Sequence, residues 1–271
     1  MDVGKLKYTK REGNREPSLP SKIAHEVHDE VLESIDDKVP QDYQKEMPSF
    51  EVSRVFIVSG GEGREKDYFS QYKDSRRLSF VFISKKGGGL MPENMVDLVK
   101  HAVDQGFFTD IQKVECKYLN GDKIFLIQDV DHFGLELKRF YKRDKDSQLY
   151  RWIISNPCFE IWLFYHYHDN KGILSECENY EPKDRPGWLK NKLNEIVPGG
   201  INPKKTIDKL DVAIENSRNQ FSLQDDFPSL FSTEMHIIGE LTKSIMGNEL
   251  CELIRQKVEK ARILKEKYGK V

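Results

Sequence analysis

Lys123-Ile124-Phe125-Leu126-Ile127-Gln128-Asp129-Val130-Asp131 is the stretch on which the fold turns. Its short unbroken apolar run reads as a strand buried on both faces, the kind found in parallel sheets covered by helices. Two aspartates stand where that strand ends, and ligand sites in open α/β sheets lie at this carboxyl edge. Carboxylates at i and i+2 can both turn toward one ion as the chain leaves the sheet. Hard oxygen ligands of this kind suit Mg²⁺ or Mn²⁺. The plainer alternative is a pair of solvated loop acids that favour the start of the next helix.

Working outward, the neighbours repeat one alternation. Val55-Phe56-Ile57-Val58 is a buried strand ended by Ser59-Gly60-Gly61, and residues 64–74 are helical with Tyr68, Phe69 and Tyr72 on one face. Leu78–Ser84 is a second strand, and Pro92–Gln105 a helix with Pro near its start and Gly106 at its end. Beyond the central stretch come a helix over Gly134–Lys142 and a fourth strand over Tyr150–Ile154. Strands alternating with helices imply parallel crossovers, so the predicted class is α/β, a parallel sheet flanked by helices. After Pro157 the strand signal stops. Helices are predicted over Trp188–Ile196, Lys204–Gln220 and Thr233–Lys267, the last broken near Gly247. Residues 51–170 thus form the α/β core and 171–271 a helical C-terminal region. Residues 1–50 form a polar N-terminal extension, in which Ile23, Val27, Val31 and Ile35 recur every four positions. That spacing suits a short amphipathic helix docking on the body or on a partner.

Composition narrows the function. Of 271 residues, 38% are hydrophobic, 11% aromatic and 32% charged, which is polar yet sufficient for a core. Lys plus Arg total 43 against 45 Asp plus Glu, so polyanion binding by bulk charge is excluded and nucleic acid would need a local patch. No apolar run approaches the roughly 18 residues of a membrane span, and the N-terminus lacks an apolar signal core. A cytoplasmic protein is expected. Cys116, Cys158, Cys177 and Cys251 are scattered without a paired motif, which predicts reduced thiols rather than a disulfide framework or zinc site.

Two further stretches carry candidate chemistry. Gly60-Gly61-Glu62-Gly63-Arg64-Glu65 follows the first strand and matches neither the P-loop nor the dinucleotide fingerprint. It can deliver Glu62 or Glu65 to the edge that holds Asp129; the competing reading is helix-start acids favoured by the dipole. Ser155-Asn156-Pro157-Cys158-Phe159-Glu160-Ile161-Trp162 follows the fourth strand, with Ser155 and Asn156 as candidate helix caps and Pro157 at the helix start. Glu160 falls in the first turn, near the same edge, among large apolar neighbours. His166 reads as a buried, hydrogen-bonded histidine, and burial of Cys158 argues against a nucleophile. Lys85 and Lys86, beside Gly87-Gly88-Gly89, are candidate phosphate contacts or a solvated turn.

Together these features resemble the RloB family, a Toprim-like group associated with phage defence and restriction-modification loci. The likeness rests on Glu65-Lys66-Asp67-Tyr68-Phe69, Phe125-Leu126-Ile127-Gln128-Asp129-Val130-Asp131 and Ser155-Asn156-Pro157-Cys158-Phe159-Glu160-Ile161-Trp162-Leu163. A fainter block, Phe231-Ser232-Thr233-Glu234-Met235-His236, extends it over residues 53–245. The resemblance implies a Toprim-type sheet with an acidic Mg²⁺ centre that cuts phosphodiesters, often under control of a partner ATPase. In that pattern a Glu after the first strand joins the two aspartates as metal ligand. Anchoring on Tyr68-Phe69 puts Gly60 where that Glu belongs; a loop shortened by two residues instead makes Glu62-Gly63 the matching pair.

The expected function is therefore Mg²⁺- or Mn²⁺-dependent cleavage of DNA or RNA in anti-phage defence. Asp129, Asp131 and Glu62 would hold the metal, with Glu65 and Glu160 completing the centre. One rival is a degenerate Toprim-like module without catalysis, acting with a partner ATPase or restriction-modification component. Another is a phosphatase of the haloacid-dehalogenase kind, which also places two aspartates after an apolar strand, but normally near the start of its domain.

Overall fold

The computed structural model describes residues 52–269, apart from 62, 86–88, 110–113, 132 and 198–199. The N-terminal extension and its predicted helix lie outside the described residues. In chain order the elements are β1 (Ser53–Ser59), α1 (Arg64–Phe69), β2 (Leu78–Ile83), α2 (Pro92–Gln105), β3 (Phe107–Thr109), β4 (Glu115–Lys117) and β5 (Lys123–Asp129). There follow α3 (Gly134–Arg143), β6 (Arg151–Ser155), α4 (Glu160–Tyr165), α5 (Arg185–Ile196), α6 (Leu210–Gln220), β7 (Leu223–Gln224), β8 (Phe227–Pro228), α7 (Met235–Met246) and α8 (Asn248–Tyr268).

β1, β2, β5 and β6 form one four-stranded parallel sheet in the order β2-β1-β5-β6. Side chains alternate strictly between two cores, as the pleat requires. Val55 and Ile57 of β1, Phe125 and Ile127 of β5 and Ile153 of β6 pack with α1, α4, α6 and α7. Phe56, Val58, Ile124, Leu126, Trp152 and Ile154 pack on the other side with α2 and Leu137 of α3. Both faces are covered, so the strands read as apolar runs without visible alternation. The chain leaves β1 to build β2 on one flank, then returns to lay β5 and β6 on the other. Strand order reverses between β1 and β5, and the connecting helices diverge to opposite faces there. A crevice at their carboxyl ends follows from that divergence.

Local chemistry accounts for the boundaries. Pro92 opens α2, and Gly106, at φ 78°, closes it by donating to the Ala102 and Val103 carbonyls. Gly247, at φ 52°, separates α7 from α8. α6 begins at Leu210, later than expected. Thr206 donates its hydroxyl to the Pro203 carbonyl and divides the preceding segment into two 3₁₀ turns. α1 gives way after Phe69 to a 3₁₀ turn that ends at Tyr72.

One expectation is overturned beyond β6: Ser155 and Asn156 cap no helix, and Pro157 lies outside one. α4 starts at Glu160 with Phe159 as its cap residue. The polar groups of Ser155 and Asn156 are already engaged by the segment before α7. Ser155 Oγ bonds Thr233 Oγ1 at 2.8 Å, Asn156 N–H donates to the Ser232 carbonyl at 2.9 Å, and Asn156 Nδ2 donates to the Pro228 carbonyl at 2.9 Å. The segment pairs antiparallel with β6 through a Ser155–Thr233 bridge and so covers an edge that would otherwise be open.

Candidate functional site

Asp129 is the last residue of β5 and continues the face of Phe125 and Ile127, which looks toward α1 and α4. Glu65 comes down from α1 and Glu160 from the first position of α4; both are buried. The fold therefore gathers three carboxyl groups at the crevice between β1 and β5. Burial raises the Glu65 carboxyl above its ordinary range, and the negative charge of Glu160 adds to the rise. Burial likewise raises Asp129 well above its ordinary range, reinforced by Glu65, Glu160 and Asp131 and opposed by Lys190. Each acid makes the next harder to ionise.

The glycine turn before α1 makes room for this arrangement. A Cβ at Gly61 would strike the Glu65 carboxylate, and a Cβ at Gly60 would strike the side-chain amide of Gln128. Gly60 bears on the alignment question directly: no side chain fits at position 60 while Gln128 occupies that space. Glu62, the alternative match, lies outside the described residues.

Glu160 differs from its neighbours in having cationic partners. Arg64 Nη1 stands 3.1 Å and Lys190 Nζ 3.5 Å from its Oε1. Both side chains are partly exposed, although the Arg64 Nη1 that faces the carboxylate is itself buried. Asp129 has the opposite circumstance: its Oδ1 is buried with no hydrogen-bond partner. Gln128 Oε1 and Ser84 Oγ, both at the same end of the sheet, share that condition. A buried acceptor without a donor costs about 1–3 kcal/mol, so an orphaned oxygen on a buried carboxyl group such as Asp129 calls for an explanation.

The donors at this edge are hard oxygens, and the orphaned Asp129 Oδ1 is aimed at no protein group. That chemistry fits a divalent cation held by one or two carboxylates and several waters. Among the described residues, no three His, Cys, Asp or Glu side chains converge closely enough to hold a metal by themselves. Glu160 is drawn to Arg64 and Lys190 instead.

The remaining candidates divide. Asp131 lies just past Asp129, raises its pKa and lines an open cleft with Arg185. Lys85 is exposed immediately beyond β2, and Lys86 lies outside the described residues. His166 is a core residue: its Nδ1 bonds the Trp162 carbonyl at 2.9 Å, and burial lowers its pKa to about 4, so it stays neutral. Burial, aided by Glu160 and Asp129, pushes the Cys158 thiol well up, which removes it as a nucleophile. None of the four cysteines forms a disulfide. Sequence reasoning missed Lys190, which belongs to α5 and has no motif around it. Arg64 was visible only as a member of the Gly60–Glu65 stretch, with no role assigned to it.

Among the described residues, no helix is long and apolar enough to cross a membrane. No curated protein and no solved structure matches the chain. A family model described as RloB-like protein matches residues 55–241, more than half of its 271 residues. The match takes in the sheet, the carboxylate edge and the segment that seals β6, and the chain belongs to the RloB-like protein family.

Proposed function

We propose that this protein is a Toprim-like, divalent-metal-dependent nuclease that cuts DNA or RNA in anti-phage defence. The observation that carries the proposal is the buried, unpartnered Oδ1 of Asp129 beside Glu65, a pair whose ionisation is opposed until a cation is added. Asp129 and Asp131, with Glu62 from the glycine turn, would hold Mg²⁺ or Mn²⁺. The ion, when bound, supplies Lewis acidity and lowers the pKa of its water. Glu65, with its raised pKa, is suited to hold a proton or orient a water at the same edge. Glu160 keeps Arg64 and Lys190 at the rim, where their charges can meet a phosphate as it approaches the acids. Lys85 and Lys86 would add phosphate contacts from the end of β2.

The test is cleavage of single-stranded DNA, duplex DNA and tRNA with Mn²⁺ by wild type, Asp129→Asn and Glu62→Gln. Asp129→Asn is expected to lose activity by more than about a hundredfold, beyond what loss of a ligand's supporting contact costs. Normal cutting by Asp129→Asn sinks the proposal.

Gly60 favours a second reading, a degenerate Toprim-like module that binds nucleic acid or regulates a partner ATPase. That reading takes over if wild type cuts nothing even with its natural partner present.

A further inference from the structure

Next to the carboxylate edge, an open cleft of about 600 Å³ has apolar walls from Phe133, Leu135, Pro157 and Pro182. Its charged lining comprises Asp131, Glu136 and Arg185. Three features set it apart from an ordinary surface hollow. Leu135, the second residue of α3, is 84% exposed at a position where a polar residue would serve the helix equally well. Arg185 is fixed by neutral acceptors: its Nε donates to the Tyr180 carbonyl at 3.0 Å and its Nη2 to the Glu178 carbonyl at 3.5 Å. Among the described residues it has no ion-pair partner, so its guanidinium is held in place by neutral groups rather than by a salt bridge. Asp131, finally, lines this cleft and also acts on Asp129 through its charge, so the cleft adjoins the acidic edge.

A mainly apolar slot with a few placed polar groups, of this volume, is a small-ligand site in form, with room for one nucleotide unit. Resting on the nuclease reading above, we infer that the cleft takes one unpaired base of a single-stranded nucleic acid. The base packs against the Phe133 and Leu135 wall, and the guanidinium of Arg185 meets the adjoining phosphate. Glu136 is an acceptor for an exocyclic amine. An intact duplex keeps its bases stacked inside and presents only phosphates, so it gains nothing from these apolar walls. The substrate class is therefore single-stranded nucleic acid or the unpaired loop of a folded one.

The experiment is fluorescence anisotropy with a labelled twelve-nucleotide RNA, the same sequence as DNA, and the corresponding duplexes, all in EDTA so that nothing is cut. Single strands are expected to bind about tenfold or more tighter than duplex, the scale of one base–side-chain stacking contact. Leu135→Asp should remove most of that preference; the side chain is exposed, and circular dichroism checks that the fold is kept. Arg185→Gln should weaken single-strand binding and lower its salt dependence. Equal affinity for duplex, or a Leu135→Asp protein that binds like wild type, overturns the inference. So does competition for the cleft by an apolar peptide when oligonucleotides do not compete. If wild type prefers single strands yet cuts nothing with Mn²⁺, the nuclease reading fails and the binding slot stands.

Discussion

Asp129 and Glu234 are acids at two margins of the same sheet, and their surroundings are opposite. Glu234, at the outer edge beyond β6, accepts Ile154 N–H at 3.0 Å and the Tyr141 hydroxyl at 2.9 Å. Its own N–H donates to the Ile154 carbonyl, and Thr233 next to it is paired with Ser155. Asp129, at the crevice between β1 and β5, has a buried oxygen with no donor and three further carboxyl groups, Glu65, Glu160 and Asp131, acting on it. Burial raises both pKa values, Glu234 to about 7. The difference lies in whether the fold supplied partners. Where it did, the acid fastens a chain segment to an edge strand. Where it did not, a buried carboxyl oxygen is left without a donor.

The comparison can be broken first at its structural end. Glu234→Ala strands the Ile154 N–H and the Tyr141 hydroxyl, and should cost roughly 3 kcal/mol in urea unfolding, from a buried and a half-buried group at about 1–3 kcal/mol each. Its response to Mn²⁺ should match wild type. A stability change below about 0.5 kcal/mol would show that the β6 seal does not depend on this acid.

A second effect concerns pH. Glu234 rises from an ordinary 4.5 to about 7, so between these values the folded protein binds more protons than the unfolded chain. Its contribution to stability is full below about 4.5 and is lost as pH rises through about 7. The total should be of the order of 3 kcal/mol. Glu234→Gln should flatten that part of the stability profile, and a profile parallel to wild type between these pH values would contradict the assignment.

The smallest effect sharpens the other end. Gly61→Ala places a methyl against the Glu65 carboxylate, which must turn away from Asp129. Mn²⁺ affinity, followed by isothermal titration, should fall about tenfold, the lower range for disturbing a metal's supporting shell. Unchanged affinity would remove Glu65 from the centre.

Much of this molecule is legible along the chain because its signals are local. The apolar runs at Val55–Val58 and Ile124–Ile127 name buried parallel strands, and Pro92 and Gly106 mark both ends of α2. The small hairpins were not legible. β7 and β8 are two residues each, too short for a period to register. Their turn is made by Asp225 and Asp226 at positive φ, with no glycine to announce it. The caps expected at Ser155 and Asn156 failed for a related reason. Those residue types are suited to capping, but a segment almost eighty positions later engages the same polar groups first.

By itself, then, the sequence determined that a parallel sheet would form and that Asp129 and Asp131 would stand at its carboxyl edge. Strand identity depends on side-chain periodicity over a few residues, and a strand's end is fixed by the residues that end it. Only the tertiary structure decided which charges meet there. Glu160 finds Lys190 because α4 and α5 pack side by side, and it finds Arg64 because α1 returns over the same sheet face. Asp129 remains without a donor because none of those packed elements brings one within reach of its Oδ1. Ion pairing between elements depends on helix placement to within an ångström or so. No pattern within a single element encodes that.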